Sequence, residues 1–384
     1  MVSESKSVED RGTAAPTQSR HISRHIYLLA LTLALAYLLV IVYASVQPLR
    51  GWRLPAADVY GFLTAPWPRY ITLTDVLVNV AAYIPLGFML ALGLRIGMPP
   101  IVAVAVALLL GVGLSIGMES VQLFLPARIP SNVDVLANGA GALIGALAAP
   151  LFLPSQRLGA RLGVWRDRVF LPGAVTDVGV VVAVLWVITH LNPRTQVFGT
   201  GHLRDTFELP AYFFHTPGLF LSAEAMVVLF NLVGVGLLLS TLLRAEARRG
   251  LAIALVITAA LACKMLITVF LAKPLGAWAW MTPGALLGFV LGATLLAGLL
   301  ALGHTARLAL ALLAILFALA AINLAPDNPY FSLPPQLASG RASHLLSFSA
   351  ILSALSELWP IIALWYLFAA LWYTRYADAH RPAR

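Results

Sequence analysis

From Ile26 to Tyr373 this chain is mostly a succession of long apolar runs joined by short polar connections. A run of about 20 such residues is the length an α-helix needs to cross the hydrocarbon core of a bilayer. Inside that core every backbone N–H and C=O must be satisfied within its own segment, so runs of this kind fold as helices. Mean hydropathy is +0.88, with 60% hydrophobic and only 11% charged residues. The expected fold class is therefore all-α, a polytopic transmembrane helix bundle of about ten spans. These lie at 26–46, 75–94, 100–118, 132–153, 174–191, 222–243, 251–271, 281–302, 306–324 and 345–373. The last run is too long for one straight span and contains Pro360. It predicts either one kinked helix or an interfacial piece followed by a span, leaving a count of nine to eleven.

The formal net charge of +9 does not point to nucleic acid. Most Lys and Arg fall in short connections between apolar runs, where they set orientation. With the N-terminus inside, the inner segments hold about twice as many Lys and Arg as the outer ones. Both termini are then expected in the cytoplasm, and the protein in the cytoplasmic (inner) membrane. Residues 1–25 read as a flexible cytoplasmic tail, and 374–384 as a second one. Ala44-Ser45-Val46 is a poor cleavage site, so the first run reads as a retained helix. The lone Cys263 excludes an intrachain disulfide framework. The connection carrying Arg157, Arg161, Arg166 and Arg168 reads as a basic inner loop, chiefly an orientation device, with contact to anionic lipid as a secondary role.

Against this apolar background, Glu119–Asn138 reads ESVQLFLPARIPSNVDVLAN. Charged and amide groups are expensive in lipid, and their default reading is a functional site facing protein or water. Glu119 and Gln122 are i, i+3 neighbours closing the third run, while Asp134 and Asn138 are i, i+4 neighbours entering the fourth. Asp75, Asn79 and Tyr83 follow at i, i+4, i+8 along the second run, with Pro85 expected to kink that helix. Ser131 or Asn132 is placed to cap the fourth helix. By topology alone, Asp75, Glu119, Arg128 and Asp134 come to the same membrane surface, the outer one in this orientation. Gly113/Gly117 and Gly141/Gly145 have the four-residue spacing that predicts close approach of the third and fourth helices.

These residues also carry a resemblance. TDVLVNVAAYIPLGFML and MESVQLFLPARIPSNVDVLANGAGALIGA resemble the VanZ family of multipass membrane proteins, whose named member is associated with teicoplanin resistance. The matching positions are Asp75, Asn79, Pro85, Glu119, Gln122, Arg128, Ser131, Asp134, Asn138 and Gly141, within residues 26–153. The resemblance implies membrane location and a tie to the cell envelope or to antibiotic response, with no settled reaction or ligand.

An internal repeat is visible at a shift of 145 residues. Pro48 falls on Pro193, Glu119 on Lys264, Arg128 on Lys273 and Gly139 on Gly284. Residues 174–302 are thus expected to be a diverged, parallel second copy of the 26–153 unit, with 306–373 a terminal helix pair. The glycine faces Gly141/Gly145 and Gly284/Gly288/Gly292 are out of register at this offset. Gln122, Asp134 and Asn138 become Ile267, Ala279 and Pro283, so the polar set is expected in the first copy alone.

Two readings of the cluster compete. In one, Arg128 and the carboxylates form an internal network joining the helices. In the other, Asp75, Asn79, Tyr83, Glu119, Gln122, Arg128, Ser131, Asp134 and Asn138 line a pocket for an envelope precursor or a glycopeptide-like ligand. A non-enzymatic binding protein is the leading expectation, with membrane lipids as its standing partners and no cofactor. The enzymatic alternative makes Glu119 the acid/base acting on a lipid-linked or phosphorylated envelope precursor, and the acidic cluster the holder of a divalent cation. A transporter relaying protons through mid-depth carboxylates is the third class. His190, His202 and His215 lack metal-site spacing, so no metal is assigned.

Overall fold

A computed structural model describes residues 15–46, 51–54, 58–68, 71, 73–126, 128–153, 156–192, 195–204, 216–271, 278, 280–324 and 343–379. Pro48, Pro193, Lys273, Ala279 and His215 lie outside these residues. The described residues form eleven α-helices: α1 (Ala15–Ser45), α2 (Leu73–Leu94), α3 (Pro100–Gln122), α4 (Asn132–Ala148), α5 (Arg157–Val169), α6 (Ala174–Thr189), α7 (Pro217–Leu242), α8 (Arg249–Leu271), α9 (Pro283–Leu299), α10 (His304–Leu324) and α11 (Ser343–Ala379). Eight of them are long and apolar enough to cross a membrane, and α6 and α9 are shorter apolar helices. The protein is a polytopic helical bundle. Large apolar side chains exposed along these helices, such as Leu39, Leu109, Leu147, Val290 and Trp365, form the surface offered to lipid.

Two features differ from the sequence reading, and the last run takes the one-helix form of the two expected. The helix α1 begins at Ala15, inside the stretch read as a flexible tail. The last apolar run is one helix, Ser343–Ala379, with Pro360 inside it. The basic stretch 157–168 is not a loop but part of the helix α5.

The chain divides into two compact units, Met1–Gly163 with Ala342–Phe348, and Val164–Arg341 with Ser349–Arg384. In the first, α4 packs chiefly on α2, with α1 against α2 and α3 against both α2 and α4. Glycine sets the closest approach. A Cβ on Gly141 would stand 2.2 Å from the Val80 carbonyl oxygen, and one on Gly145 2.0 Å from that of Ile84. Helices in lipid gain association energy from such tight packing, because the surrounding tails are as apolar as the side chains. The glycine face of α4 thus meets α2, and not α3 as its spacing suggests. A Cβ on Gly113 or Gly117 would have nothing within 4 Å, and α3 meets α4 instead through Gly111 against Ala142. Tyr37 of α1 donates to the Ala82 carbonyl of α2 at 2.9 Å.

In the second unit α7 is central, packed by α9 and α10. Gly288 lies against the backbone of Ala225 and Gly292 against that of Leu229. Ala225 and Leu229 stand 145 residues after Val80 and Ile84, whereas Gly288 and Gly292 stand 147 after Gly141 and Gly145. One helix pair of each unit therefore repeats the same glycine-on-backbone contacts, with a two-residue length change between the helices. This is why the glycines miss register at a single offset. The helix α10, and α11 from Ser349 onward, belong to this second unit: α10 packs on α7, and Trp359 of α11 donates to the Val182 carbonyl of α6 at 2.8 Å.

Candidate functional site

The helix α3 ends at Gln122, and the chain turns sharply through Leu125 and Arg128, whose N–H groups donate to the carbonyls of Gln122 and Leu125 at 2.9 and 3.0 Å. It re-enters as α4 at Ser131. This N-cap is fixed twice. Its hydroxyl accepts from the Val133 N–H at 3.2 Å, and its own N–H donates to Glu119 Oε2 at 2.9 Å. Glu119 therefore joins the last turn of α3 to the first of α4, where a carboxylate also suits the helix dipole. Asn132 donates to the Ala65 carbonyl at 2.7 Å, tying down the connection between α1 and α2.

Asp134, in the first turn of α4, accepts from Asn79 Nδ2 at 2.7 Å. The stripe on α2 deepens along the helix, with Asp75 half-buried, Asn79 8% exposed and Tyr83 4% exposed. Below it, Asn138 donates to Ser115 Oγ at 2.9 Å, and Tyr83 reaches the same serine. Asn138 is buried, and its Oδ1 has no hydrogen-bond partner.

Two groups close the side toward α1. Gln122 Nε2 donates to the Ser45 carbonyl at 3.2 Å, and Arg128 to that of Ala44 at 3.3 Å. Both oxygens belong to the last turn of a helix, which leaves carbonyls without intrahelical donors. Burial pulls the Arg128 guanidinium below its ordinary range, against the negative field of Glu119, which raises it. Glu119, Gln122, Arg128, Ser131, Asp134, Asn79 and Asn138 are all buried. Asn79, Tyr83, Glu119, Gln122, Arg128, Ser131, Asp134 and Asn138 lie together at one end of a four-helix unit, with Asp75 one turn above Asn79. Carboxylate and amide oxygens on α2, α3 and α4 can accept hydrogen bonds, and Arg128 can orient them. Among the described residues no three His, Cys, Asp or Glu side chains gather as a metal centre.

Several partners carry no signal in the sequence. Ser115 sits in a plain apolar helix, and the Ala44, Ser45 and Ala65 contacts are backbone. The second unit also holds a buried polar set. Lys264 donates to the Asn192 carbonyl at 2.8 Å and to that of Thr195. Glu224 is buried on α7 beside Thr282, with Oε1 lacking a partner. It stands 145 residues after Asn79, away from the hairpin charges. Asn192 and Ser356 are joined at 3.2 Å.

A family model described as VanZ/LLP1 matches residues 26–153. No curated protein and no solved structure matches the chain. The matched segment runs from the first membrane residue of α1 through the turn that follows α4, and it contains every residue of the hairpin cluster. Residues 26–153 are a VanZ-like domain within a multipass membrane protein.

Proposed function

We propose that the VanZ-like domain is a non-enzymatic binding unit of the cytoplasmic membrane, with its polar end outward. Its ligand is an envelope component or a glycopeptide-like molecule that presents amine, amide or hydroxyl donors. The observation that carries this reading is the buried Glu119–Asp134–Asn138 set, in which Asn138 Oδ1 stands buried without a donor. A buried polar atom left open is expensive, and a ligand donor would satisfy it. Glu119 and Asp134 supply the charged acceptors, Asp75 and Tyr83 flank the entry and floor, and Arg128 holds the α1 end. The domain's resemblance directs the choice of ligand class toward the cell envelope and glycopeptide response.

We further propose that residues 174–302 are a diverged second copy. The matched contacts Gly141–Val80 with Gly288–Ala225, and Gly145–Ile84 with Gly292–Leu229, support this reading.

The test of binding uses teicoplanin as the probe, with the full chain reconstituted in lipid nanodiscs and calorimetry as the readout. Binding by the wild type, lost in Glu119→Gln, supports the reading. Equal binding by both proteins overturns it. Turnover of a lipid-linked precursor that requires added divalent cation would favour the enzymatic alternative instead.

A further inference from the structure

The 13-residue helix α5 is polar in composition, and none of its residues is buried. Its sequence, RLGARLGVWRDRV, separates into two faces once it is helical. Leu158, Leu162, Trp165 and Val169 recur at i, i+4, i+7 and i+11, which places them on one stripe. Arg157, Arg161 and Arg168 form the adjoining stripe, and Arg166 borders the apolar stripe on its other side. Leu158, Leu162 and Trp165 are 43%, 41% and 54% exposed.

Both ends of α5 are tied to the ends of membrane-spanning helices. At the start, Gly159 packs against the Leu153 carbonyl, where a Cβ would stand 2.1 Å away. Leu153 directly follows the span Asn132–Phe152. At the finish, the Arg244 N–H donates to the Val169 carbonyl at 3.0 Å, and the Leu171 N–H to that of Leu242 at 2.9 Å. Leu242 is the last residue of the span Gly218–Leu242. Within each unit, the part of α5 that belongs to it therefore lies beside the terminus of a span.

We propose that α5 is an interfacial helix that binds an anionic phospholipid surface. The apolar stripe enters the boundary between headgroups and acyl chains, as amphipathic surface helices do. Arg157, Arg161 and Arg168 meet the phosphates, and their long stems let the charged ends reach past the apolar stripe. Arg166 has a different task, because it is paired with Asp167 at 3.0 Å and with Asp177 of α6, which fixes the exit of the helix. Charge complementarity selects lipid over an apolar protein groove. A protein groove would take the Leu and Trp stripe but would leave three adjoining arginines to be desolvated without partners. Each arginine near an anionic surface contributes about a fivefold preference over a neutral one.

The test uses spin labels on the full chain with Cys263→Ser, reconstituted in phosphatidylcholine vesicles or in vesicles that also contain phosphatidylglycerol. One label is placed by Leu162→Cys on the apolar stripe, the other by Ala160→Cys on the opposite side. Collision with oxygen reports burial in acyl chains, and collision with a soluble nickel chelate reports exposure to water. The expected result is oxygen contact at 162, nickel contact at 160, and a deeper 162 label in the anionic vesicles. The triple variant Arg157→Gln, Arg161→Gln, Arg168→Gln is expected to lose the dependence on phosphatidylglycerol. Equal nickel contact at both positions would overturn the proposal by placing the helix in water. Shielding of the 162 label from both reagents would also overturn it, since a protein surface would then cover the stripe.

Discussion

Asn79 and Asp134 are 55 residues apart in sequence and share a hydrogen bond of 2.7 Å, donated by the amide of α2 to the carboxylate in the first turn of α4. Both side chains are buried, so the bond fixes how the two helices register at their polar end. Asn79→Asp is expected to destabilise the domain more than Asn79→Ala, because it sets two carboxylates at contact distance. The loss for Asn79→Ala is expected at about 1–3 kcal/mol, the range for breaking a buried polar pair. Combining Asn79→Asp with Asp134→Asn restores an amide opposite a carboxylate. Thermal unfolding of the purified chain should show the double variant recovering most of the loss from Asn79→Asp alone.

Gly145→Ala is predicted to be damaging, since its Cβ would stand 2.0 Å from the Ile84 carbonyl and only backbone movement relieves that. The expected loss is about 1–3 kcal/mol, the range for overpacking. Gly113→Ala and Gly117→Ala meet nothing within 4 Å and are expected to be neutral or to stabilise α3. Unfolding midpoints of the three variants in one detergent check the contrast.

Lys264 holds the chain that follows α6 by donating to the carbonyls of Asn192 and Thr195. Lys264→Met is expected to free those carbonyls and to cost about 1–3 kcal/mol, while leaving any activity of the VanZ-like domain in place. Lys264→Glu is expected to be worse, because a carboxylate would face two carbonyl oxygens. Thermal stability together with limited proteolysis between 192 and 204 checks both.

The helices are legible in the sequence because their lengths follow from the bilayer, and the α2 stripe because four-residue spacing puts Asp75, Asn79 and Tyr83 on one side. The convergence of Glu119, Asp134 and Arg128 follows from topology, which needs only the order of spans. Glycine spacing, by contrast, marks a face without saying which neighbour it meets. Gly141 and Gly145 therefore suggest α3 as their neighbour, when their partners are Val80 and Ile84 of α2. The α5 helix is hidden because four arginines outweigh a narrow apolar stripe in any average over the segment. Contacts such as Gln122 with Ser45 and Asn132 with Ala65 use backbone oxygens, which every residue carries and no sequence pattern distinguishes. Glu224 is hard to find because the landmarks that suggest a repeat cluster at the hairpin, whereas Glu224 stands 145 residues after Asn79, on an earlier helix.

On the proposed role, the hairpin carboxylates act on a ligand beyond joining α3 to α4. Glu119→Gln separates the two tasks. The amide oxygen still accepts from the Ser131 N–H, so the cap survives, while the charge offered to a ligand is gone. Asp134→Asn does the same for the bond from Asn79. The most direct measurement is therefore teicoplanin susceptibility and envelope-stress sensitivity of cells depending on this protein, with membrane levels quantified for wild type and both variants. The predicted result is normal membrane levels with lost protection in each variant. Full protection by Glu119→Gln at normal levels would contradict the role, and the carboxylate would then be a structural tie between two helices.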